Sequence, residues 1–178
     1  MFNKLAEERR SIRKFSDKSV EKEKIDSIVE AALRSPSGRG SRPWHFVVVT
    51  DQAIREKLSM ARPGGGAFVK DADLAIVVCG DESASRLWVE DCTIAAVTMQ
   101  YAATSLGLGS RWFNIRGNEC KEGVSSRDHI AGIIDLPENM DVLCIIAVGY
   151  PDEAAVPYKK EELHYNKVSY GSYGRSLI

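Results

Sequence analysis

Cysteine, histidine and long apolar runs are scarce in this chain, and each scarcity excludes something. Among 178 residues there are four cysteines, Cys79, Cys92, Cys120 and Cys144. None are spaced C-x-x-C, so neither a zinc knuckle nor a dithiol redox pair is written here. Cys79 and Cys144 sit inside apolar runs and read as buried, inert thiols. The three histidines, His45, His129 and His164, do not cluster with carboxylates at ligand spacing, so no metal site is expected. No run of 18 apolar residues exists, so no membrane-spanning helix is expected. Met1–Arg10 is polar from Asn3 onward and lacks the apolar stretch of a signal peptide, which makes the cytoplasm the expected compartment. There is no G-x-S-x-G nucleophile elbow. Pro63-Gly64-Gly65-Gly66 lacks the Gly-Lys-Ser/Thr of a P-loop and reads as a flexible loop. Gly107-Leu108-Gly109-Ser110-Arg111-Trp112 starts like a dinucleotide fingerprint, but its third glycine position is Trp112 and it follows a helix. Gly107 reads better as a helix C-cap.

Charge is present but uneven. Residues 1–44 hold 11 Lys/Arg against 7 Asp/Glu, a net of +4, while the remainder is −5 and the whole is −1. The basic end suits an anionic small molecule. The near-zero total argues against a nucleic-acid-binding face. Its centre is Arg9-Arg10-Ser11-Ile12-Arg13, which puts three guanidinium groups and a hydroxyl within five residues. A phosphate monoester carries about −1.5 to −2 charge and three acceptor oxygens, and planar arginine donors match it. A solvated basic turn is the bland alternative for the cluster taken alone. Lys159 and Lys160 add late positive charge, which by itself reads as wet surface.

A length of 178 residues with 44% apolar content suits one domain, residues 1–178. Helices are expected over Asn3–Glu8, Val20–Ser35, Gln52–Ala61 (capped by Asp51), Ser85–Leu106 and Ser126–Asp135. Strands are expected over Trp44–Thr50, Asp73–Cys79, Leu108–Ile115 and Val142–Val148. The Ser85–Leu106 helix is apolar on several sides and belongs at the centre of a fold or at a subunit interface. Of its two acids, Glu90 and Asp91, one is expected to face solvent. The loop Ser35-Pro36-Ser37-Gly38-Arg39-Gly40-Ser41-Arg42-Pro43-Trp44 has the small residues and donors that let a ligand approach the backbone. From Asp152 to Ile178 the chain is polar and aromatic with no core of its own. Strands alternating with helices give an α/β or α+β class around one sheet.

These pieces, in order, resemble the FMN-dependent nitroreductase family. The resemblance rests on the arginine motif, Ser35-Pro36-Ser37 through Pro43-Trp44, Asp71-Ala72-Asp73, and Trp88-x-Glu90-Asp91. It continues through Leu106 to Trp112 and Gly149-Tyr150-Pro151. It implies an α+β three-layer sandwich with a mixed, mostly antiparallel sheet, forming an intertwined homodimer in which residues 152–178 pack on the partner chain. It implies FMN as cofactor, NADH or NADPH as donor, ping-pong turnover, and a small-molecule acceptor such as a nitroaromatic or quinone. By position, Arg9, Arg10, Ser11 and Arg13 would hold the phosphate and ribityl chain. Pro36, Ser37 and Arg39 would lie against the flavin, and Trp112, Phe113 and Asn114 would flank it from the other chain. Lys159 or Lys160 would help neutralise the phosphate. No side chain is assigned as catalytic, because the flavin carries the chemistry. The rival readings are a non-catalytic FMN-binding or sensory module, and a specialised flavin enzyme on the same fold, a reductive dehalogenase or a flavin-fragmenting one. A colourless anion- or nucleic-acid-binding domain is a further rival. The chain departs from the family where it has Gly40 and Arg42 before Pro-Trp, and Gly64–Phe68 before Asp71.

Overall fold

The computed structural model describes residues 2–176. Along the chain the helices and strands run α1 (Phe2–Glu8), α2 (Lys22–Leu33), β1 (Trp44–Val49), α3 (Gln52–Ser59), α4 (Ala67–Asp71) and β2 (Leu74–Asp81). They continue with α5 (Trp88–Ser105), β3 (Gly109–Asn114), β4 (Glu119–Lys121), β5 (Val124–Ser125), α6 (Ser126–Ile134) and β6 (Met140–Gly149).

The central sheet has the order β1-β2-β6-β3, with every neighbouring pair antiparallel. A single parallel bridge, Ser11 to Ser110, adds the N-terminal arm to the β3 edge. The sheet is therefore mixed and mostly antiparallel. Strands β2 and β6 lie at its centre and are buried on both faces, which is why they read as unbroken apolar runs. Alternation then divides the core. Leu74, Ile76, Val78, Cys144 and Ile146 pack with α2 and α5 on one face. Ala75, Val77, Cys79, Ile145 and Ala147 pack with α3, α4 and α6 on the other. The outcome is the α+β three-layer sandwich. Burial pushes the Cys79 thiol up to about 12 and the Cys144 thiol well above its ordinary value, as befits inert core thiols.

Helix boundaries follow local chemistry. The Asp51 carboxylate accepts the Ile54 amide at 2.9 Å and starts α3. Gly107, at φ +75°, ends α5. The Leu108 amide reaches back to the Ala103 carbonyl at 2.9 Å and the Gly107 amide to Thr104 at 3.1 Å, the paired bonds of a Schellman stop. A side chain at that φ costs about 1 kcal/mol.

Two elements were not foreseen, α4 and the β4–β5 hairpin. A five-residue helix is too short to show periodicity, and α4 exists because Phe68 and Val69 are buried in the core. Within the glycine turn before it Gly64 is open, whereas Gly66 is buried and closely packed: a Cβ there would come within 1.9 Å of the Ser59 carbonyl oxygen.

Beyond Asp152 every described residue is exposed except Glu153 and Pro157, which are half-buried, with Val156 at 75% and Tyr173 fully open. Even the single helical turns at Lys160–Glu162 and Tyr165–Lys167 face solvent. Residues 177 and 178 of the expected extension lie outside the described residues.

Candidate functional site

After α1 the backbone of Ile12 donates to the Ser110 carbonyl at 3.1 Å, laying the arginine motif along β3. Ile12 is buried and turns inward against Gly109, where a Cβ would approach it to 2.6 Å. Strand-like alternation then sends Ser11 and Arg13 outward. Glu153 clamps this arm by accepting the main-chain amides of Arg13 and, at 3.1 Å, Lys14. The bond from the Arg13 amide is the main reason that the Glu153 carboxyl is held below its ordinary value.

The motif divides between two concavities. Arg9 and Arg10 line a groove of about 660 Å³ with Tyr158 and Lys160, and the Arg10 guanidinium lies 3.9 Å above the Tyr158 ring. Arg13 lines a wider cleft of about 820 Å³ with Arg62, Lys70 and Arg111, the glycine turn, Phe68 and Cys120. Of the two late lysines, Lys160 joins Arg9 and Arg10. Lys159 uses its amide to bond Glu162 at 2.7 Å and lines neither concavity. Ser11 sits between the two arginine groups in sequence and is exposed.

The loop bearing Pro36, Ser37 and Arg39 lines neither of these concavities within one chain. It is held instead by Asp91. Glu90 is exposed, whereas Asp91 is 2% exposed and points into the loop. Its carboxylate accepts the Gly38 amide at 2.7 Å, the Ser41 hydroxyl at 3.3 Å and the Ser85 hydroxyl at 3.5 Å. The Ser37 hydroxyl closes the loop by accepting the Arg42 amide at 3.0 Å. Arg39 and Arg42 both adopt positive φ, 55° and 48°. Such backbone is costly for residues with a Cβ and persists only where the surroundings impose it.

On β3, Trp112 and Asn114 are partly open, and the Trp112 indole donates to the Asn114 amide oxygen at 3.4 Å. The Phe113 side chain is 1% exposed and packs edge-on against Phe68, with centroids 5.6 Å apart. Only its backbone is available to a ligand. Sequence reasoning passed over Arg62, Lys70 and Glu153. Arg111 falls in the motif at residues 106–112, which by itself gives it no place in the cleft. Strand alternation opposite Trp112 was the available signal for Arg111.

Among the described residues no group of His, Cys, Asp or Glu is arranged to hold a metal ion, and no helix is long and apolar enough to cross a membrane. The model of the Nitroreductase family matches residues 6–62 and 59–150. The chain belongs to the nitroreductase family. The structure of an FMN-dependent nitroreductase from Clostridium difficile R20291 superposes with a TM-score of 0.93 at 41% identity, over 95% of this chain and 98% of that one. A Methanothermobacter thermautotrophicus protein, provisionally named an NADH dehydrogenase/NAD(P)H nitroreductase, is 42% identical over 151 residues, 82% of this chain and 74% of its own. The FMN reductase [NAD(P)H] of Bacillus subtilis is 25% identical over 183 residues, covering 90% of this chain and 69% of its own. In this nitroreductase-family chain, then, the cationic arm and the Asp91-braced loop are features of an oxidoreductase.

Proposed function

We propose that the chain is an FMN-dependent NAD(P)H oxidoreductase that passes two electrons to a nitroaromatic, a quinone or a related acceptor. One observation carries this reading. Arg9, Arg10 and Arg13 are fixed by a backbone bridge beside ligand-sized concavities, yet none enters an ion pair among the described residues. Unspent guanidinium donors held in place suit a phosphate. The donor set fits FMN: Arg9, Arg10, Ser11 and Arg13 would bind its phosphate and ribityl chain, with Lys160, which lines the groove, adding charge in preference to Lys159, which does not. The cleft volume falls in the range of small-molecule sites.

FMN, when bound, supplies the redox chemistry. The chain's own residues bind and orient it. The braced loop presents Pro36, Ser37 and Arg39. Trp112, Asn114 and the Phe113 backbone flank the site from the other chain, because the loop and the cationic cleft are separate within one protomer. A homodimer is accordingly part of the proposal, with residues 152–178 lying on the partner. The names of the relatives support the cofactor and donor.

The test is the visible spectrum of the purified protein, then anaerobic titration with NADH and NADPH. A flavin spectrum bleached by either nicotinamide and restored by a quinone is expected, and Arg13→Ala should lose most of the flavin. Colourless protein that takes up no added FMN overturns the reading. A flavin that neither nicotinamide reduces makes the chain a binding module.

A further inference from the structure

We propose that Arg62 and Arg111 form an anion subsite in the wider cleft, which takes a carboxylate or phosphate group of the small molecule exchanging electrons there. The proposal rests on the oxidoreductase reading above and adds the charge class of its substrate.

The subsite is built from aromatic seats. The Arg111 guanidinium lies 4.2 Å above the Phe68 ring and that of Arg62 lies 5.2 Å from the Phe113 centroid. The two rings pack edge to face at 85°, so both cations sit on one joined pair of aromatic rings. A guanidinium stacked on a ring keeps its in-plane N–H groups free for a bidentate anion. Here those groups are unspent: among the described residues neither Arg62 nor Arg111 forms an ion pair, and neither donates a side-chain hydrogen bond. The glycine turn makes room for Arg62. A Cβ on Gly65 would come within 2.8 Å of its Nη2.

The electrostatics agree. Arg13 and Lys70 line the same cleft, and among the described residues Asp71 is the one acid lining it. Burial first, then repulsion from Arg13 and more weakly from Arg62, hold the Arg111 guanidinium below its ordinary value, against attraction by Glu153. That carboxylate is already committed to the Arg13 and Lys14 amides. An incoming anion relieves the repulsion within the cluster. Of the cations assigned to the cofactor, Arg9, Arg10 and Lys160 line the neighbouring groove and Arg13 reaches this cleft, which leaves Arg62 and Arg111 for a second anion.

The experiment compares the purified flavoprotein with its Arg62→Gln and Arg111→Gln variants. One arm measures kcat/KM for 4-nitrobenzoate relative to neutral 4-nitrobenzyl alcohol. The other measures NADPH relative to NADH. Losing a charge-assisted hydrogen bond predicts a fall of about tenfold or more in one of these ratios. A fall in the first identifies an acceptor carboxylate, and a fall in the second identifies a donor phosphate. Calorimetric titration of the unreduced protein with benzoate and with inorganic phosphate should show a matching loss of affinity. Arg62→Lys, which keeps charge without the fork, should recover part of it. Unchanged ratios with unchanged anion affinity overturn the proposal. So does loss of flavin from both glutamine variants, which would assign the pair to the cofactor's own phosphate. If the wild type binds no flavin, the oxidoreductase reading fails while the calorimetry still decides the subsite.

Discussion

Asp91 shows how a single side chain can organise a site without touching the chemistry. It is buried in an apolar helix, forms no ion pair among the described residues, and spends its carboxylate on the Gly38 amide and two hydroxyls. Hydrogen bonds to a charged group contribute about 1.5–3 kcal/mol each. Removing the acceptor strands a buried N–H and releases the positive-φ backbone at Arg39 and Arg42. Asp91→Ala is therefore expected to lower stability by about 2–3 kcal/mol in urea denaturation, and to weaken flavin affinity in a separate titration. Wild-type values in both would count against the bracing role. At this scale the sequence pointed to the arginine motif through residue type alone. It did not point to Asp91 as a brace, since an acid next to Trp88 is equally compatible with a solvent-facing position, the one that Glu90 takes.

Between elements, a small network ties the start of α2 to the end of β6. The Tyr150 hydroxyl donates to Glu21 at 2.7 Å, and Lys24 donates to that hydroxyl at 2.8 Å and to the Leu106 carbonyl at 3.1 Å. Lys18 lies 3.8 Å above the Tyr150 ring. The bond from Tyr150 is the chief reason the Glu21 carboxyl is lowered from 4.5 to about 2. A carboxyl whose folded value is depressed adds stability that is fully present above its unfolded value and lost as pH falls through the folded one. The Tm difference between wild type and Glu21→Gln should thus be largest above pH 4.5 and shrink toward pH 2. A difference that stays constant over that interval would show that Glu21 is not coupled to folding. Elements with strong periodicity, such as α2 and β2, were legible from the chain. The α4 turn and the β4–β5 hairpin were not, because segments so short show no periodicity and α4 is held by contacts distant in sequence, such as Phe68 edge-on against Phe113 with centroids 5.6 Å apart.

Over the whole molecule, apolar surface remains uncovered. Leu87 just before α5, and Ile94 and Val97 on it, are 41%, 40% and 37% exposed, and the aromatic tail carries Tyr158, Tyr165 and Tyr170 into solvent. A helix that is apolar on more than one face needs a second partner. The proposed homodimer supplies one and also unites the Pro36–Arg39 loop with a partner's cationic cleft. Light scattering should give twice the chain mass. Ile94→Asp should shift it toward one chain and release flavin in parallel. A flavin-replete monomer would separate cofactor binding from dimerisation.

Local chemistry written in the residues themselves settled the helix stops and the buried strands and singled out the clustered arginines, since capping, alternation and charge act over a few positions. Tertiary structure alone decided that Arg9 and Arg10 part company with Arg13, that Asp91 turns inward, and that Arg62 and Arg111 sit on one packed pair of phenyl rings. Those outcomes depend on which strands become neighbours. Neighbouring strands are brought together by burying the whole core, and no short window of sequence contains that information.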